Sequence, residues 1–386
     1  MVVELHGFAH GGEAVGRLPD GRVVFVAHGI PGETVSVEVT SEHKRWTRGR
    51  LVEVLKPSAD RVDPPCPYFG PDRCGGCRLQ HIAPDRRRQL LHQVVVDQVE
   101  RLGRIPDPPV TPVVSAGDYG YRSRARFGVT DDGQLGFRRY ASDELLPIDR
   151  CLLLDEPTSA LHAAVASEGV RATEVEVRTG ASGGMAVADP AGTSSVVRGE
   201  EVVIHEVGGF SYQVSPTSFF QSNLRGAEIL LELVRRSAAV HPGDTALDLY
   251  AGVGLFARAL AADGAEVRAV EGSRASARDA RRNLSGLARV VDKPVERFLP
   301  RMAAAGEHVD VIVADPPRRG VDAGVVKAMA AVATRTIVLV ACDPAALGRD
   351  AGLLTGVGWT LDEAVPVDQF AQTGHIEVVA TFSKAD

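Results

Sequence analysis

No stretch of this 386-residue chain is apolar for long enough to cross a membrane. Its longest apolar runs, TIVLVAC and VDVIVADPP, fall far short of the roughly 20 residues that a spanning helix requires. The N-terminus also lacks a basic segment leading into an apolar one with a small-residue cleavage site, so the sequence predicts a cytoplasmic protein without membrane contact. Excess positive charge is missing as well: a formal net charge of -7 lacks the overall footprint of a nucleic-acid binder. Basic residues do gather in SEHKRWTRGR, DRRRQ, GYRSRARFG and GFRRY, but taken singly each run reads as solvated surface. Cysteine is scarce and odd in number. Five residues, at 66, 74, 77, 151 and 342, in a chain without an export signal argue against a disulfide framework. There is no internal repeat, and nothing implies an obligate protein partner.

What is present divides into regions of different character. The first 57 residues alternate apolar and polar positions in VVFVA and VSVEVT, with turn chemistry in PDG and PGE. That pattern predicts a small all-β module, such as a closed barrel of the OB type. Prolines and glycines break SADRVDPPCPYFGPDRCGGCRLQH, after which PDRRRQLLHQVVVDQVERLG has helical periodicity, opened by a proline and an acid and closed by Gly103. From about 110 to 209, strand-like pieces such as SRARFGVT and ATEVEVRT alternate with turns, a helix is expected near EPTSALHAAVA, and ADPAGTSSVVRGEE reads as an exposed loop. After about residue 210, apolar strands (TALDLY, EVRAVE, VDVIVAD, TIVLVAC) alternate with helical segments. This predicts an α/β doubly wound sheet that binds ligands at the carboxyl ends of its strands.

Three constellations carry chemistry. In ALDLYAGVGLFARALA a strand ends at Asp248, and a turn with Gly252 and Gly254 leads into a helix, while Glu271 ends the next strand. Glycines let backbone approach a ligand, helix amides donate to it, and an acid at the second strand can accept from both ribose hydroxyls. The spacing departs from G-x-G-x-x-G, because residue 257 is Ala, and resembles the nucleoside-binding turn of Rossmann-like methyltransferases. In VIVADPPRRG a strand delivers Asp315 to an exit loop stiffened by two prolines. Cys66, Cys74 and Cys77 in one loop, with Cys151 from a distant strand, form a thiolate set suited to zinc or to a [4Fe-4S] cluster. The spacing is not C-x3-C-x2-C, so radical chemistry is not read here. Cys342 is left over. Alone it reads as inert filler behind a strand; at the carboxyl end of a strand in a sheet that already has a cofactor turn, it reads as a nucleophile.

The order and spacing of FFQSN (219 to 223), DLYAGVGLF, DPPRRG, VACDPAALGRD and GHIEVVATF resemble the RNA uracil-5-methyltransferase family over essentially the whole chain. CPYFGPDRCGGCRLQH with a later lone cysteine looks like that family's iron-sulfur motif, and the first module resembles its TRAM domain. The resemblance implies a TRAM/OB-like RNA-binding domain over 1–57 and a central β-rich iron-sulfur domain over 58–209, with the helix at about 84–103 packing on the catalytic domain. It implies a Rossmann-like class I methyltransferase domain over 210–386. It points to the 23S rRNA branch, because barrel and cluster together are commoner there. The alternatives are the same reaction on tRNA, or an RNA-binding or RNA-folding protein whose activity is impaired.

The resemblance also implies roles. S-adenosylmethionine is the cofactor, contacted by Gln221, Tyr250, Gly252, Gly254, Leu255, Glu271 and Asp315; Cys66, Cys74, Cys77 and Cys151 hold a [4Fe-4S] cluster; RNA is the partner. Cys342 adds to carbon 6 of uracil, creating electron density at carbon 5, and Glu377 removes the carbon-5 proton so that the thiolate can leave. Two positions depart from the family pattern. Asp343 follows the nucleophile where Asn is usual, putting negative charge beside a thiol that must ionise, and Pro294 stands about where an acid is expected near the adenine.

Overall fold

Alternate residues of VVFVA and TVSVEVT are buried, and in the computed structural model, which describes residues 1–189 and 194–384, they fill a closed five-stranded barrel. Its strands run Val2–Ala9, Glu13–Arg17, Val23–Ala27, Trp46–Lys56 and Thr34–Glu42 around the barrel. Val3, Leu5, Val24, Val26, Val35 and Val37 form its core. The cysteine-bearing loop follows, held against the central sheet where the Gly75 N–H donates to the Arg138 carbonyl at 2.9 Å.

The helix Pro84–Gly103 has Pro84 and Asp85 in its first turn, as the sequence predicts, but the left-handed residue that ends it is Arg104, at φ 55°. Gly103 has a different task. A Cβ there would lie 2.9 Å from the Gly348 carbonyl, so its absence lets this helix lie tightly against Pro344–Thr355. Leu90, Leu91, Val95 and Val99 join the core of the C-terminal sheet, which makes the helix part of that unit. Arg87, fully buried, donates to Asp368 at 3.0 Å and completes the attachment.

The central region is a six-stranded antiparallel sheet in the order Ser195–Gly199, Gly183–Ala188, Glu174–Gly180, Arg124–Val129, Leu135–Arg138, Leu145–Pro147. The expected loop ADPAGTSSVVRGEE differs. Residues 195–199 form an edge strand, because pairing with Gly183–Ala188 satisfies their backbone while Val196 packs toward Met185 and Val187; residues 190–193 lie outside the described residues. The expected boundary at 209/210 falls in the turn of a hairpin, Val203–Val207 with Phe210–Val214, paired along its whole length. The hairpin lies against the helices Leu224–Ala238 and Arg274–Asn283.

The C-terminal sheet has eight strands, in the order Ala288–Asp292, Glu266–Glu271, Thr245–Leu249, Val309–Ala314, Ala333–Ala341, Glu377–Lys384, Trp359–Asp368, Val114–Ser115. The first five are mutually parallel. Leu247, Ile312 and Leu339 pack on one face and Ala246, Val311 and Val338 on the other, so the strands read as continuous apolar runs. Strand order reverses between Thr245–Leu249 and Val309–Ala314, which opens a crevice at their carboxyl ends.

Candidate active site

Five strands deliver side chains to that crevice. After Thr245–Leu249 the chain turns through Tyr250 at φ 61° and Gly252 at φ 56°. Gly254, at φ 97°, caps the helix Leu255–Ala262, and a Cβ there would lie 2.9 Å from Leu284, so the turn requires glycine. The turn is held by acids. Asp248 Oδ2 accepts from the Ala257 N–H at 2.8 Å, and burial, reinforced by Asp315 and Glu271, pushes its carboxyl up to about 8. Glu271 Oε2 accepts from the Gly252 N–H at 2.8 Å and Oε1 from the Ser273 N–H at 2.6 Å. Each oxygen keeps a lone pair for a hydroxyl. Pro294 caps the helix Val295–Ala304 beside Gly272, and the acid facing the turn is Glu296, which accepts from the Tyr250 hydroxyl at 3.2 Å.

The reactive groups lie across the reversal. Asp315 follows Val309–Ala314, Cys342 follows Ala333–Ala341, and Glu377 begins Glu377–Lys384. Each is pushed toward its protonated form. Burial brings the Asp315 carboxyl up to about 7. Burial and then the Asp315 charge raise Glu377 well above the usual carboxylate range. Burial, Glu377 and Asp315 push the Cys342 thiol up to about 12; Asp343 adds to this and Arg318 opposes it. At neutral pH Cys342 is therefore overwhelmingly a thiol, its thiolate fraction rising about tenfold per pH unit. Asp343 has a structural task that the sequence does not reveal. It is the N-cap of Pro344–Thr355, its Oδ1 accepting from the Ala346 N–H at 2.8 Å, a role Asn fills equally.

Sequence reasoning misses the residues that hold this arrangement. Buried Gln369 donates from Nε2 to Glu377 Oε2 at 3.0 Å and to Gln221 Oε1 at 3.3 Å, joining two of the expected site residues. Its carbonyl accepts from Asn223 at 2.9 Å, and Asn223 in turn caps Leu224–Ala238. The loop carrying Phe219 and Gln221 is clamped from two sides. Asp279 accepts from the Ser215 N–H, the Ser215 hydroxyl and the Ser218 hydroxyl at 2.6 to 2.9 Å, while Arg178 of the central sheet donates to the Ser218 carbonyl at 2.9 Å. Phe219 is left 56% exposed at the rim with Arg124 over its ring, the geometry of a stacking surface.

The four remaining cysteines, none of them in a disulfide, line one cavity of about 270 Å³ together with Tyr68 and Phe137. Burial raises the thiols of Cys74, Cys77 and Cys151, that of Cys77 to about 12, so thiolates there require a bound cation. Among the described residues no three His, Cys, Asp or Glu side chains are gathered tightly as ligands of a metal ion. Four thiols lining one cavity are a donor set suited to zinc or to a polynuclear iron-sulfur group.

Comparison with known proteins agrees with this architecture. Residues 2–52 match the TRAM domain family. The chain is 36% identical to an uncharacterized RNA methyltransferase of Streptomyces coelicolor, over 99% of this chain and 92% of that protein. It is 33% identical to one of Corynebacterium efficiens, over 100% of this chain and 94% of that one. A crystal structure titled as Pyrococcus abyssi tRNA (uracil-54, C5)-methyltransferase, in complex with S-adenosyl-L-homocysteine, shares the fold with a TM-score of 0.75. It covers 99% of this chain and 100% of that one at 23% identity.

Proposed function

The chain belongs to the RNA methyltransferase family of these relatives, and on that premise we propose that it methylates carbon 5 of a uridine in RNA through a covalent Cys342 adduct. The observation that carries this reading is the convergence of Cys342, Glu377 and Asp315 on the crevice beside the Gly252–Gly254 turn. S-adenosylmethionine, when bound, supplies an electrophilic methyl group on a cationic sulfonium. Three acidic groups held together, with Arg318 the cation acting on them, can take up that charge when ionised. Glu271 and the turn backbone would hold the nucleoside, and Gln221 and Asp315 the amino-acid end and the space before the base.

Cys342 then has a defined task. Carbon 5 of uracil is a weak nucleophile; Cys342 gives its proton to solvent, and the thiolate so formed bonds to carbon 6 and turns the ring into an enolate with electron density at carbon 5. After carbon 5 has been methylated, Glu377 takes the proton from it, the double bond re-forms, and Sγ leaves carbon 6 as thiolate. A carboxylate raised by burial is a stronger base than an exposed one, and Gln369 fixes which oxygen faces the ring. A uridine in folded RNA must be unstacked to reach the crevice, and exposed Phe219 offers a surface for a displaced base. The reading of an impaired RNA-binding protein leans on Asp343, which caps Pro344–Thr355 and whose charge also raises the Cys342 thiol; that reading predicts no methyl transfer to any RNA.

The test is transfer of labelled methyl groups to unmodified rRNA and tRNA, with 5-fluorouridine RNA in parallel. Fluorine cannot leave carbon 5 as a proton, so elimination stalls and an RNA–protein adduct stable to denaturation should form. Methyl transfer without such an adduct would overturn the covalent route. Ribosomal RNA is the expected substrate; 5-methyluridine missing only from tRNA in a deletion strain would transfer the assignment.

We assign Cys66, Cys74, Cys77 and Cys151 to a [4Fe-4S] cluster that ties the loop to the central sheet and orders the basic surface around it. Cys74→Ser should remove visible absorbance and iron and weaken RNA binding at least tenfold, while S-adenosylmethionine binding changes little, since the cofactor turn lies in another unit. Zinc without sulfide in anaerobically purified protein would refute the cluster, and equal loss of both affinities would refute its local role.

A further inference from the structure

The RNA-binding barrel reaches the catalytic crevice. The turn between Val2–Ala9 and Glu13–Arg17 carries His10, whose Nε2 lies 3.7 Å from Asp343 Oδ2, the oxygen not engaged in capping. This turn is fastened in place: Arg78, one residue after Cys77, donates from Nη1 to the Gly11 carbonyl at 2.7 Å, and its backbone N–H donates to the Gln372 carbonyl at 2.7 Å. The same guanidinium lies 5.5 Å from the Tyr140 ring of the central region. Barrel, cysteine loop, central sheet and the loop leading to Glu377 thus meet at one point beside the nucleophile.

We propose that His10 is a positioning residue for methyl transfer: when protonated it counters the Asp343 carboxylate next to Cys342 and so makes the reactive thiol depend on the docked barrel. This rests on the reading of Cys342 as nucleophile. The other charged groups facing the pair are committed or unsuited. Arg78 holds Gly11 and Tyr140. His375 is pushed down to about 4, by burial first and then by Arg318, Arg78 and His10, and stays neutral. Arg318 acts on Cys342 directly, against Glu377 and Asp315. Asp343 spends one oxygen on the cap, and His10 is the basic group facing the other, able to counter its charge when protonated.

The test is the pH profile of Cys342 alkylation by iodoacetamide in the full-length, cluster-loaded protein, followed by mass spectrometry of the Cys342 peptide. This measurement needs no RNA, and Cys342→Ala tests the reading of Cys342 as nucleophile separately. His10→Ala should slow alkylation about threefold at pH 6, where an ordinary imidazole is largely charged, and change it little at pH 8, as expected for loss of one partly exposed charge pair; His10→Lys should restore the rate at pH 6 and keep it raised at pH 8. In an Asp343→Asn background, where the cap remains and the charge is gone, His10→Ala should have no effect. His10→Gln, with unchanged S-adenosylmethionine binding as a check on folding, guards against a collapsed barrel turn. Equal slowing in both backgrounds would mean that His10 acts by docking the barrel alone, and no slowing in either would mean that it does not act on the nucleophile; both results overturn the proposal.

Discussion

Replacing Cys342 by alanine is expected to lower methyl transfer by about 10⁴-fold or more, while S-adenosylmethionine binds within about twofold of the parent protein. Both halves follow from geometry. The thiol sits at the end of Ala333–Ala341, and the groups that would hold the nucleoside, Glu271 and the Gly252–Gly254 turn, come from other strands. Removing Sγ takes away the bond to carbon 6, for which no second nucleophile stands ready: Asp315 and Glu377 are drawn toward their protonated forms. Alanine also removes a group whose ionisation its neighbours oppose, so the fold should not suffer. Single-turnover transfer at parent rates would end the covalent assignment.

Glu377→Gln should produce the opposite phenotype, a protein that reacts and then stops. Addition and methylation precede proton removal, so the variant should accumulate an RNA adduct with ordinary uridine while turnover falls about 10²- to 10⁴-fold, the range for loss of a general base. Glutamine preserves volume in a fully packed position and keeps a carbonyl oxygen for the Gln369 amide. Denaturing electrophoresis of protein with labelled RNA reads the adduct directly. Inactivity without adduct would give the elimination step to another group, with Asp315 the nearest candidate by charge.

How much of this was legible in the sequence depends on how far apart the cooperating residues lie. The βα alternation after residue 210, the glycine turn and the three strand ends could be read because each is local: an apolar run, then an acid or cysteine, then helix-forming residues. The clamp on the Gln221 loop could not. Arg178 alternates with valines in EVEVRTG and looks like the solvated face of a strand, yet it is buried, because the segment at 215–218 covers that face. Asp279 sits in RASARDARRN, a helix so polar that one more acid carries no signal, though it is the residue turned inward. Glu377 looks like the outward member of an alternating strand, but both faces of this sheet are covered, so alternation does not mean exposure. Asp343 reads as a chemical handicap in one dimension and as a cap with an interdomain partner in three.

The pairing of Arg87 with Asp368 has a consequence for biogenesis. The two residues lie 281 positions apart. At the ~5–20 residues per second of bacterial and eukaryotic synthesis, the helix Pro84–Gly103 leaves the ribosome on the order of 15 to 60 s before its partner strand exists. During that interval an arginine destined for burial lacks Asp368 and the apolar stripe Leu90, Leu91, Val95 and Val99 lacks the later strands and helices that complete its core. The barrel, whose strand pairings all fall within the first 56 residues, can close meanwhile. Nascent chains halted before Trp359–Asp368 should therefore hold a protease-resistant barrel ahead of a cleavable helix, making that helix a natural stop for holdase chaperones.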